Sequence, residues 1–451
     1  MTEKTAEQAS LQASPPKLHV LSFGCQMNVY DGELMASAFR RRGYQQTADP
    51  AEADVVLVNT CAVRERAEEK VFSRLGQLAK LKRNKPDMVL GVTGCMAERM
   101  GKEIARRAPY VDLVAGARSF GEVLDLAGAV QLGRGTQISI GHDSPPPEMD
   151  VTVRRDPYRA YIAVSRGCNH HCTFCIVPEV RGREVGRAMS ELVEEARRLV
   201  DDGVVEITLL GQNIDNYGKD RPDGEDLHYL LHEVHGIEGL KRLRFVTSHP
   251  EDMAVEVLDD MAQLPKLCGA LHIPPQSGSS TVLKRMARGY TRERYLEVCH
   301  EFRRRCPGGE IAADFIIGFP GETEEDFERS VTLLQEVRFQ QTFIFRYSPR
   351  PGTPSEKHFE DDVPLPVKKA RNLRLLKAQE QVASEKHAEM VGRTFEVLVE
   401  GPSKKDPDVL MGRSRGNYIL HFVGSPDLAG QLVDVKVTDY SPVSLRGEIA
   451  G

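Results

Sequence analysis

Short apolar runs bounded by turn residues alternate with longer segments of helical period over the first third of the chain. Four of these runs predict strands, at Leu18 to Phe23, Val55 to Val58, Met88 to Val92 and Val111 to Val114. Strands and helices that alternate at this spacing predict an α/β domain with a doubly wound parallel sheet. Ligands of such a sheet bind beyond the carboxyl ends of its strands.

A second alternating region follows a linker. The stretch from Gly133 to Asp150 is rich in glycine, proline and serine, which is typical of a connection between domains. Beyond it, apolar runs predict strands near residues 161–165, 205–210, 244–246, 270–273, 311–317 and 343–347. Six strands with helices between them predict an open (β/α)6 barrel, a partial TIM barrel with catalysis at the carboxyl ends of its strands.

The last part of the chain changes character twice. The pattern from Pro364 to Met390 predicts one long basic helix, and short strands with Gly, Pro and Asp turns after it predict a small five-stranded antiparallel β-barrel. A chain of 451 residues has room for about three domains of about 150 residues each. We therefore expect a disordered tail at 1–16, a first domain at 17–132, a linker at 133–153, the barrel with its bridging helix at 154–391, and the small barrel at 392–451.

Composition limits the classes of function. The net charge of -6 does not by itself indicate a nucleic-acid binder, so any RNA contact must use local basic faces. No apolar run has membrane-spanning length, and the first sixteen residues lack the apolar stretch of a signal peptide, which predicts a cytoplasmic protein without a membrane partner. Nine cysteines, an odd number, favour thiolate ligands in a reducing compartment over a disulfide framework.

Three of these cysteines, Cys168, Cys172 and Cys175, lie close together in the run RGCNHHCTFC. Thiolates at this spacing can hold three irons of a [4Fe-4S] cluster and leave the fourth iron open, as radical-SAM enzymes do to chelate S-adenosylmethionine. The alternative is a structural zinc loop with His170 or His171 as the fourth ligand. Structural zinc prefers paired ligands in a closed tetrahedral shell, and no second pair lies nearby, so the spacing favours a cluster.

Three other cysteines each follow a predicted strand of the first domain: Cys25, Cys61 and Cys95. The carboxyl ends of parallel strands meet at one edge of a sheet, so these thiols are expected to converge although they are distant in sequence. The sequence therefore predicts a second cluster site at this edge. The alternative is three buried structural cysteines, which are common in protein cores.

Seven stretches together resemble the methylthiotransferase branch of the radical-SAM enzymes, from about residue 17 to the end of the chain. They are GCQMN from 24, CNHHCTFCIVPEVRGRE from 168, LLGQNIDNYG from 209, SHPEDM from 248, QSGS from 276, IIGFPGET from 316 and YSPRPGTP from 347. The resemblance implies an N-terminal cluster domain, a radical-SAM barrel and a C-terminal TRAM barrel. Gln26-Met27-Asn28 resembles the branch that modifies tRNA, whereas the branch that modifies a ribosomal protein usually carries Pro-Lys-Asn there.

The resemblance also implies a reaction. One S-adenosylmethionine would methylate sulfur on an auxiliary cluster held by Cys25, Cys61 and Cys95, and a second would give the radical that activates carbon 2 of N6-isopentenyl (dimethylallyl) adenosine at position 37 of tRNA. That carbon would then receive the methylthio group. The implied cofactors are two [4Fe-4S] clusters and two molecules of S-adenosylmethionine per turnover. The implied partners are the anticodon loop of tRNA, an electron donor such as flavodoxin or ferredoxin, and iron-sulfur assembly proteins.

Residues at the predicted catalytic edge of the barrel are candidates for binding S-adenosylmethionine: Phe174, Gly211, Gln212, Gln276, Ser277 and Arg346. Phe174 would lie against the adenine of the cofactor, or else pack under the cysteine loop. Gly211 would let the backbone approach the methionine moiety closely. Polar residues at such positions also serve as turn or capping groups, and both interpretations stay open.

The C-terminal barrel carries candidates for RNA contact: Lys404, Lys405, Arg413 and Arg415. Single-stranded loops are the usual targets of sequence-specific RNA recognition, and an anticodon loop is one of them. The alternative is that these four residues form an ordinary solvated surface.

Three rival functions remain at the level of sequence. The first is a methylthiotransferase that acts on an aspartate of a ribosomal protein. The second is a non-catalytic iron-sulfur protein that binds RNA or transfers electrons. The third is a radical-SAM enzyme with one cluster and three structural cysteines in its first domain.

Overall fold

The computed structural model describes residues 14–62, 65–143, 151–219, 221 and 224–450, with the backbone alone at 65–67. Most of the expected tail and the middle of the expected linker lie outside these residues. The chain divides into two compact units between Arg155 and Asp156. Among the described residues, no helix is both long enough and apolar enough to cross a bilayer.

The first unit is built on a six-stranded parallel sheet. Its strands are β1 Lys17–Ser22, β2 Gln45–Gln46, β3 Val55–Thr60, β4 Val89–Gly94, β5 Leu113–Gly116 and β6 Gln137–Ser139. Its helices are α1 Gln26–Arg41, α2 Glu65–Asn84, α3 Cys95–Arg107 and α4 Val123–Gln131. The strand order β2-β1-β3-β4-β5-β6 reverses between β1 and β3, which makes the sheet doubly wound as predicted. Every residue of β3 and β4 is buried, as expected for parallel strands covered on both faces.

The second unit contains the predicted partial barrel. Its strands are β7 Arg159–Ala163, β8 Ser165–Arg166, β9 Val185–Gly186, β10 Glu206–Leu210, β11 Arg242–Val246, β12 Ala270–His272, β13 Glu310–Ile317 and β14 Gln341–Arg346. Apart from the short pair β8 and β9, the strands form two parallel sheets, β11-β10-β7 and β12-β13-β14, and a bridge between Leu243 and Leu267 links them. All six predicted strands are present, and the open (β/α)6 fold is confirmed.

Helices cover the outside of this barrel. They are α5 Val177–Arg181, α6 Met189–Asp201, α7 Leu227–His235, α8 Val255–Gln263, α9 Ser280–Arg285, α10 Arg292–Arg305, α11 Glu324–Val337, α12 Pro354–His358 and α13 Leu365–Ala388. The last is the predicted long basic helix. Thr323 begins α11 with a capping box, since its side chain accepts from the Asp326 amide while the Asp326 carboxylate accepts from the Thr323 amide.

The C-terminal segment closes into a five-stranded barrel, as predicted. Its strands are β15 Thr394–Pro402, β16 Val409–Ser414, β17 Ile419–Val423, β18 Leu432–Ser441 and β19 Ser444–Ile449, in the order β15-β16-β17-β19-β18. The pair β17 and β19 is parallel, so the expectation of a wholly antiparallel barrel was wrong for that pair. Closure of the barrel explains the difference. Strand β19 forms an antiparallel hairpin with β18, which fixes its direction, and in that direction it runs parallel to β17 where the barrel closes.

Two buried arginines of β11 fasten the C-terminal barrel to the partial barrel. Arg242 is fully buried; its Nη1 donates to the Arg413 carbonyl at 2.7 Å and its Nη2 to the Glu396 carbonyl at 2.9 Å. Arg244 donates to the carbonyls of Ser414 at 2.9 Å and Arg415 at 3.0 Å. Because Arg242 begins β11, the C-terminal barrel docks at the amino-terminal ends of the barrel strands.

Candidate iron-sulfur and cofactor sites

The structure brings Cys25, Cys61 and Cys95 to one edge of the first sheet. Cys25 precedes α1, Cys61 directly follows β3, and Cys95 begins α3 after β4, so the three follow neighbouring strands. Cys61 and Cys95 are buried, whereas Cys25 is exposed. A Cβ added to Gly24 would lie 2.5 Å from the Cys61 Cβ, and Gly24 has a φ of +123°, so only glycine allows the two loops to come this close.

Buried amides hold these loops together. Asn28 donates through Nδ2 to the Thr60 carbonyl at 2.8 Å, and Asn59 donates through Nδ2 to the Asn28 carbonyl at 2.7 Å. The Thr60 hydroxyl donates to the Thr93 carbonyl at 2.5 Å, which ties β3 to β4 beside Cys95. Asn28 belongs to the motif GCQMN, but its role in locking the three loops emerges only from the fold.

The donor set at this edge fits an iron-sulfur cluster. Three thiols from adjacent strand ends are the ligands that a [4Fe-4S] cluster takes. Beside them, the buried Asn59 Oδ1 and Thr93 Oγ1 have no hydrogen-bond partner within the described residues. A Cβ on Gly94 would lie 2.4 Å from that Asn59 oxygen, so the backbone before Cys95 also requires glycine.

A two-stranded ladder closes the loop that carries Cys168, Cys172 and Cys175. Strands β8 and β9 pair antiparallel at its two ends, and the Cys168 amide donates to the Gly182 carbonyl at 3.2 Å. Thr173 fixes the tip to the end of α9, because its amide donates to the Met286 carbonyl at 3.0 Å and its hydroxyl to the Arg285 carbonyl at 3.0 Å. The three thiols are thereby held at the carboxyl end of β7.

Burial in this loop raises the pKa of Cys168 to about 11 and that of Cys175 to about 12. A cluster would therefore have to displace these protons on binding, because iron coordinates the thiolate and not the thiol. His170, one of the two candidate fourth ligands of a zinc site, is engaged elsewhere, and His171 is exposed. The Nε2 of His170 lies 2.5 Å from the Asp252 carboxylate, and its ring stacks on His249 at 4.1 Å between centroids. These contacts of His170 favour a cluster over a zinc site that uses this residue.

Several candidate cofactor residues have partners inside the protein. The Gln212 carbonyl oxygen accepts from the Gly167 amide at 2.5 Å, which joins the end of β10 to the cysteine loop. A Cβ on Gly211 would lie 3.1 Å from the Ile214 Cα, so the tight turn alone accounts for glycine there. The buried Ser277 hydroxyl accepts from the Ser279 amide at 3.2 Å. Gln212, Gly211 and Ser277 therefore position the backbone of the loops at this edge.

The remaining candidates are less constrained. Phe174 is half-buried and packs against an apolar cluster under the loop, formed by Val282, Met286, Phe319 and Tyr347. Gln276 has a φ of 67°, which is unusual for a residue other than glycine. Arg346 ends β14 half-buried, and it makes no hydrogen bond or ion pair with any described residue. Gln276 and Arg346 are therefore available to polar atoms of a ligand at this edge.

Two carboxylates at the same edge were not predicted. Asp215 is buried and accepts from the Ser248 hydroxyl at 3.1 Å and the His249 amide at 2.7 Å, and burial raises its pKa to about 7. Asp252 is also partly buried, but hydrogen bonds from His170, Lys219 and Asn213 hold its pKa below the ordinary value. Both residues lie in stretches that carry the resemblance, LLGQNIDNYG and SHPEDM, which was the available signal.

The four predicted RNA-binding residues do not form one cluster. Lys404 and Lys405 are exposed in the loop between β15 and β16. Arg413 pairs through Nε with the Glu400 carboxylate at 2.8 Å. Arg415 donates through Nη2 to the carbonyls of Pro265 at 2.6 Å and Leu267 at 2.8 Å. These contacts engage both arginines within the protein, whereas the side chains of Lys404 and Lys405 are exposed.

Comparison with protein-family models gives three matches along the chain. Residues 17–116 match the model described as Uncharacterized protein family UPF0004, residues 162–334 match the Radical SAM superfamily, and residues 388–450 match the TRAM domain. These segments contain, in turn, the first cysteine set, the cysteine loop and the C-terminal barrel.

Curated relatives match over nearly the full chain. A protein of Moorella thermoacetica named tRNA-2-methylthio-N(6)-dimethylallyladenosine synthase is 43% identical over 95% of this chain and 97% of its own length. Proteins of the same name from Rhodopirellula baltica and Bordetella petrii are 42% and 44% identical, over 96% and 97% of this chain and 95% and 92% of their own lengths.

Solved structures with similar folds are radical-SAM enzymes. The methyltransferase TsrM of Kitasatospora setae, with cobalamin and a [4Fe-4S] cluster bound, gives a TM-score of 0.56 at 16% identity over 76% of this chain and 74% of that chain. The cobalamin-dependent enzyme OxsB gives 0.51 at 12% identity over 82% of this chain and 56% of that chain. At these identities the likeness concerns the fold alone. From its domain matches and its full-length relatives, this chain belongs to the radical-SAM methylthiotransferase family that includes the tRNA-2-methylthio-N(6)-dimethylallyladenosine synthases.

Proposed function

We propose that this chain adds a methylthio group to carbon 2 of N6-isopentenyl (dimethylallyl) adenosine at position 37, beside the anticodon of tRNA. The observation that carries the proposal is the pair of three-cysteine sets, each at the carboxyl ends of parallel strands, in a chain whose full-length relatives bear this activity in their names. When bound, two [4Fe-4S] clusters and S-adenosylmethionine supply reductive cleavage of a sulfonium bond and transfer of cluster sulfur.

The residues of the chain position these groups. Cys168, Cys172 and Cys175 hold the cluster that binds S-adenosylmethionine, and the hydrogen bond between Gln212 and Gly167 fixes their loop relative to β10. Arg346 binds the carboxylate of the methionine moiety in this proposal, because it ends a barrel strand and makes no hydrogen bond or ion pair with a described residue. Gln276 and Ser277, after β12, and Gly211 complete this edge, and Phe174 borders the adenine.

Cys25, Cys61 and Cys95 hold the second cluster, from which sulfur is transferred. Asn28 and Asn59 keep the three loops in register, while the exposure of Cys25 leaves one side of the site open to solvent and to reactants. Replacing a ligand of this set removes the sulfur source without touching the residues at the edge of the barrel.

The proposal includes partners. The tRNA meets the C-terminal barrel through Lys404 and Lys405, since cations free of internal partners can neutralise phosphates. A flavodoxin or ferredoxin supplies the electrons, and iron-sulfur assembly proteins supply and rebuild the clusters in the cytoplasm. The expected domain limits at 17–132, 154–391 and 392–451 remain part of this proposal.

The test is anaerobic reconstitution with iron and sulfide counted, followed by incubation with reductant, S-adenosylmethionine and isopentenylated tRNA. Mass spectrometry of the nucleosides should show one added methylthio group, with about eight irons per chain from two cubane clusters. A variant with Cys25→Ala, Cys61→Ala and Cys95→Ala should keep about four irons and deoxyadenosine formation but give no methylthiolated product. Cys306→Ala, outside both sets, should behave as the unaltered protein.

Two outcomes would contradict the proposal. Methylthiolated nucleoside from the triple variant would show that the first cysteine set is structural. Deoxyadenosine without any modified nucleoside from the unaltered protein would redirect the search to a ribosomal-protein aspartate as the substrate.

A further inference from the structure

A buried arginine lies against one cysteine of the loop. Arg288, between α9 and α10, is 6% exposed and donates through Nη1 to the Cys172 sulfur at 3.2 Å. Its Nε donates to the Tyr290 hydroxyl at 3.0 Å and its Nη2 to the Pro274 carbonyl at 3.3 Å. Three hydrogen bonds on different guanidinium nitrogens fix the orientation of the cation toward the sulfur.

The charge of Arg288 has no carboxylate partner within the described residues. Other buried arginines of this unit do have one: Arg244 pairs with Glu206 at 2.9 Å, and Arg371 pairs with Glu322 at 3.0 Å. A buried cation is costly unless an anion compensates for it, and arginine does not release its proton in proteins. The group that Arg288 contacts and that can carry negative charge is the Cys172 thiolate.

We propose that Arg288 is a positioning residue that compensates for the charge of the loop cluster and raises its reduction potential through the hydrogen bond to Cys172. The inference rests on the proposed function, because it requires a cluster on the loop. Hydrogen bonds to cluster sulfurs and nearby positive charge stabilise the reduced form, which carries one more negative charge than the oxidised form. An external low-potential donor supplies that one electron, and Arg288 keeps its proton throughout.

The distance in sequence explains why no motif shows this contact, since 116 residues separate Arg288 from Cys172. The Tyr290 hydroxyl, which accepts from Arg288, itself donates to the Pro275 carbonyl at 3.0 Å. Arg288, together with Tyr290, therefore links the cluster loop to the segment after β12, where Gln276 and Ser277 lie.

The test is a potentiometric titration, followed by electron paramagnetic resonance, of the full-length chain in the background Cys25→Ala, Cys61→Ala and Cys95→Ala. This background leaves the loop cluster as the only proposed signal. Arg288→Gln should lower the reduction potential of the loop cluster by at least about 59 mV, which is a tenfold change in the equilibrium constant for a one-electron reduction. Arg288→Lys, which keeps the charge but loses the planar fork, should fall between Arg288→Gln and the parent.

Arg285→Gln is the matched control, because Arg285 is an exposed cation three residues away that does not contact the cysteines. It should leave the potential unchanged. If Arg288→Gln fails to retain about four irons, Arg288→Lys carries the test, and a lowered potential in that variant supports the inference. Potentials of the Arg288 variants equal to that of Arg285→Gln would overturn the inference while the proposed function stands. Failure of the parent loop to bind iron would overturn the proposed function itself.

Discussion

Arg242→Met should loosen the joint between the partial barrel and the C-terminal barrel. The substitution leaves two carbonyl acceptors, those of Glu396 and Arg413, without the donors that they now have. Each buried unsatisfied acceptor costs about 1–3 kcal/mol, and methionine recovers part of this by filling the space with apolar contacts. The Glu396 side chain is 41% exposed, so water can hydrate its carboxylate, and the loss of the ion pair adds little to the cost of the substitution. The expected loss of stability is about 3 kcal/mol, because two unsatisfied carbonyls cost about 2–6 kcal/mol and the methionine contacts recover part of this.

The chain contains no tryptophan, so thermal melting is best followed by far-ultraviolet circular dichroism. A loss of about 3 kcal/mol corresponds to a fall in melting temperature of about 5 °C for the unit from Asp156 to Gly451, at an unfolding entropy of about 2.1 cal/mol/K per residue. Hydrogen exchange of the β15 and β16 amides should accelerate as well. Arg198→Met is the matched control, because Arg198 pairs with Glu194 on the exposed face of α6 at 3.5 Å, and its loss should cost less than about 0.5 kcal/mol. A melting temperature and exchange rates like those of the control would refute the fastening role of Arg242.

Three further results are expected. Asp215→Asn should flatten the pH dependence of the free energy of unfolding measured with urea. Because the pKa of Asp215 is about 7, the protonated carboxyl contributes its full stabilisation below about pH 4, and this contribution is lost as the pH rises to about 7. Between pH 4 and pH 8, the free energy of unfolding should therefore shift in favour of the variant, relative to the unaltered protein, by at most about 4 kcal/mol. Parallel pH profiles would contradict this. Gly24→Ala should halve the iron content and spare the loop cluster, because the new Cβ would meet the Cys61 Cβ at 2.5 Å. The control is Gly43→Ala, which should keep all the iron, because Gly43 has a φ of +86° but a Cβ there would have nothing within 4 Å. Equal iron in both variants would rule out the steric argument. Lys404→Ala with Lys405→Ala should weaken tRNA binding and reduce the slope of log K against log salt by up to about 1.5, and an unchanged slope would return this loop to a merely solvated surface.

Local patterns predicted most of the fold. The six barrel strands and the main strands of the first sheet were found because each is an apolar run between turn residues. Strand β2 was missed because two residues are too short for any period to show, and β6 was missed because it lies in the stretch whose composition predicted a linker. The parallel pairing of β17 with β19 depends on how the barrel closes, which no local pattern records.

The candidate sites show the same contrast between features that are local in the sequence and features that depend on the fold. Spacing within one loop identified Cys168, Cys172 and Cys175, and position after a strand identified the other set. Arg288 was missed because its partner is distant in sequence. Arg413 and Arg415 were predicted as RNA contacts from their charge, and a sequence does not show the partners that they have in the fold. Glu400 becomes the partner of Arg413 when β15 pairs with β16 in the C-terminal barrel, and the carbonyls of Pro265 and Leu267 become partners of Arg415 when the two barrels meet.

The two ends of the barrel constrain the substrate. The cysteine loop and Arg346 lie at the carboxyl ends of the strands, whereas the C-terminal barrel is fastened by Arg242 and Arg244 at the amino-terminal ends. Strand β13 has eight residues, so it is about 26 Å long at about 3.3 Å per residue. A tilt of about 36° leaves about 21 Å along the barrel axis. An RNA that offers a base to the catalytic edge and phosphates to the C-terminal barrel must therefore span about 21 Å along the side of the barrel.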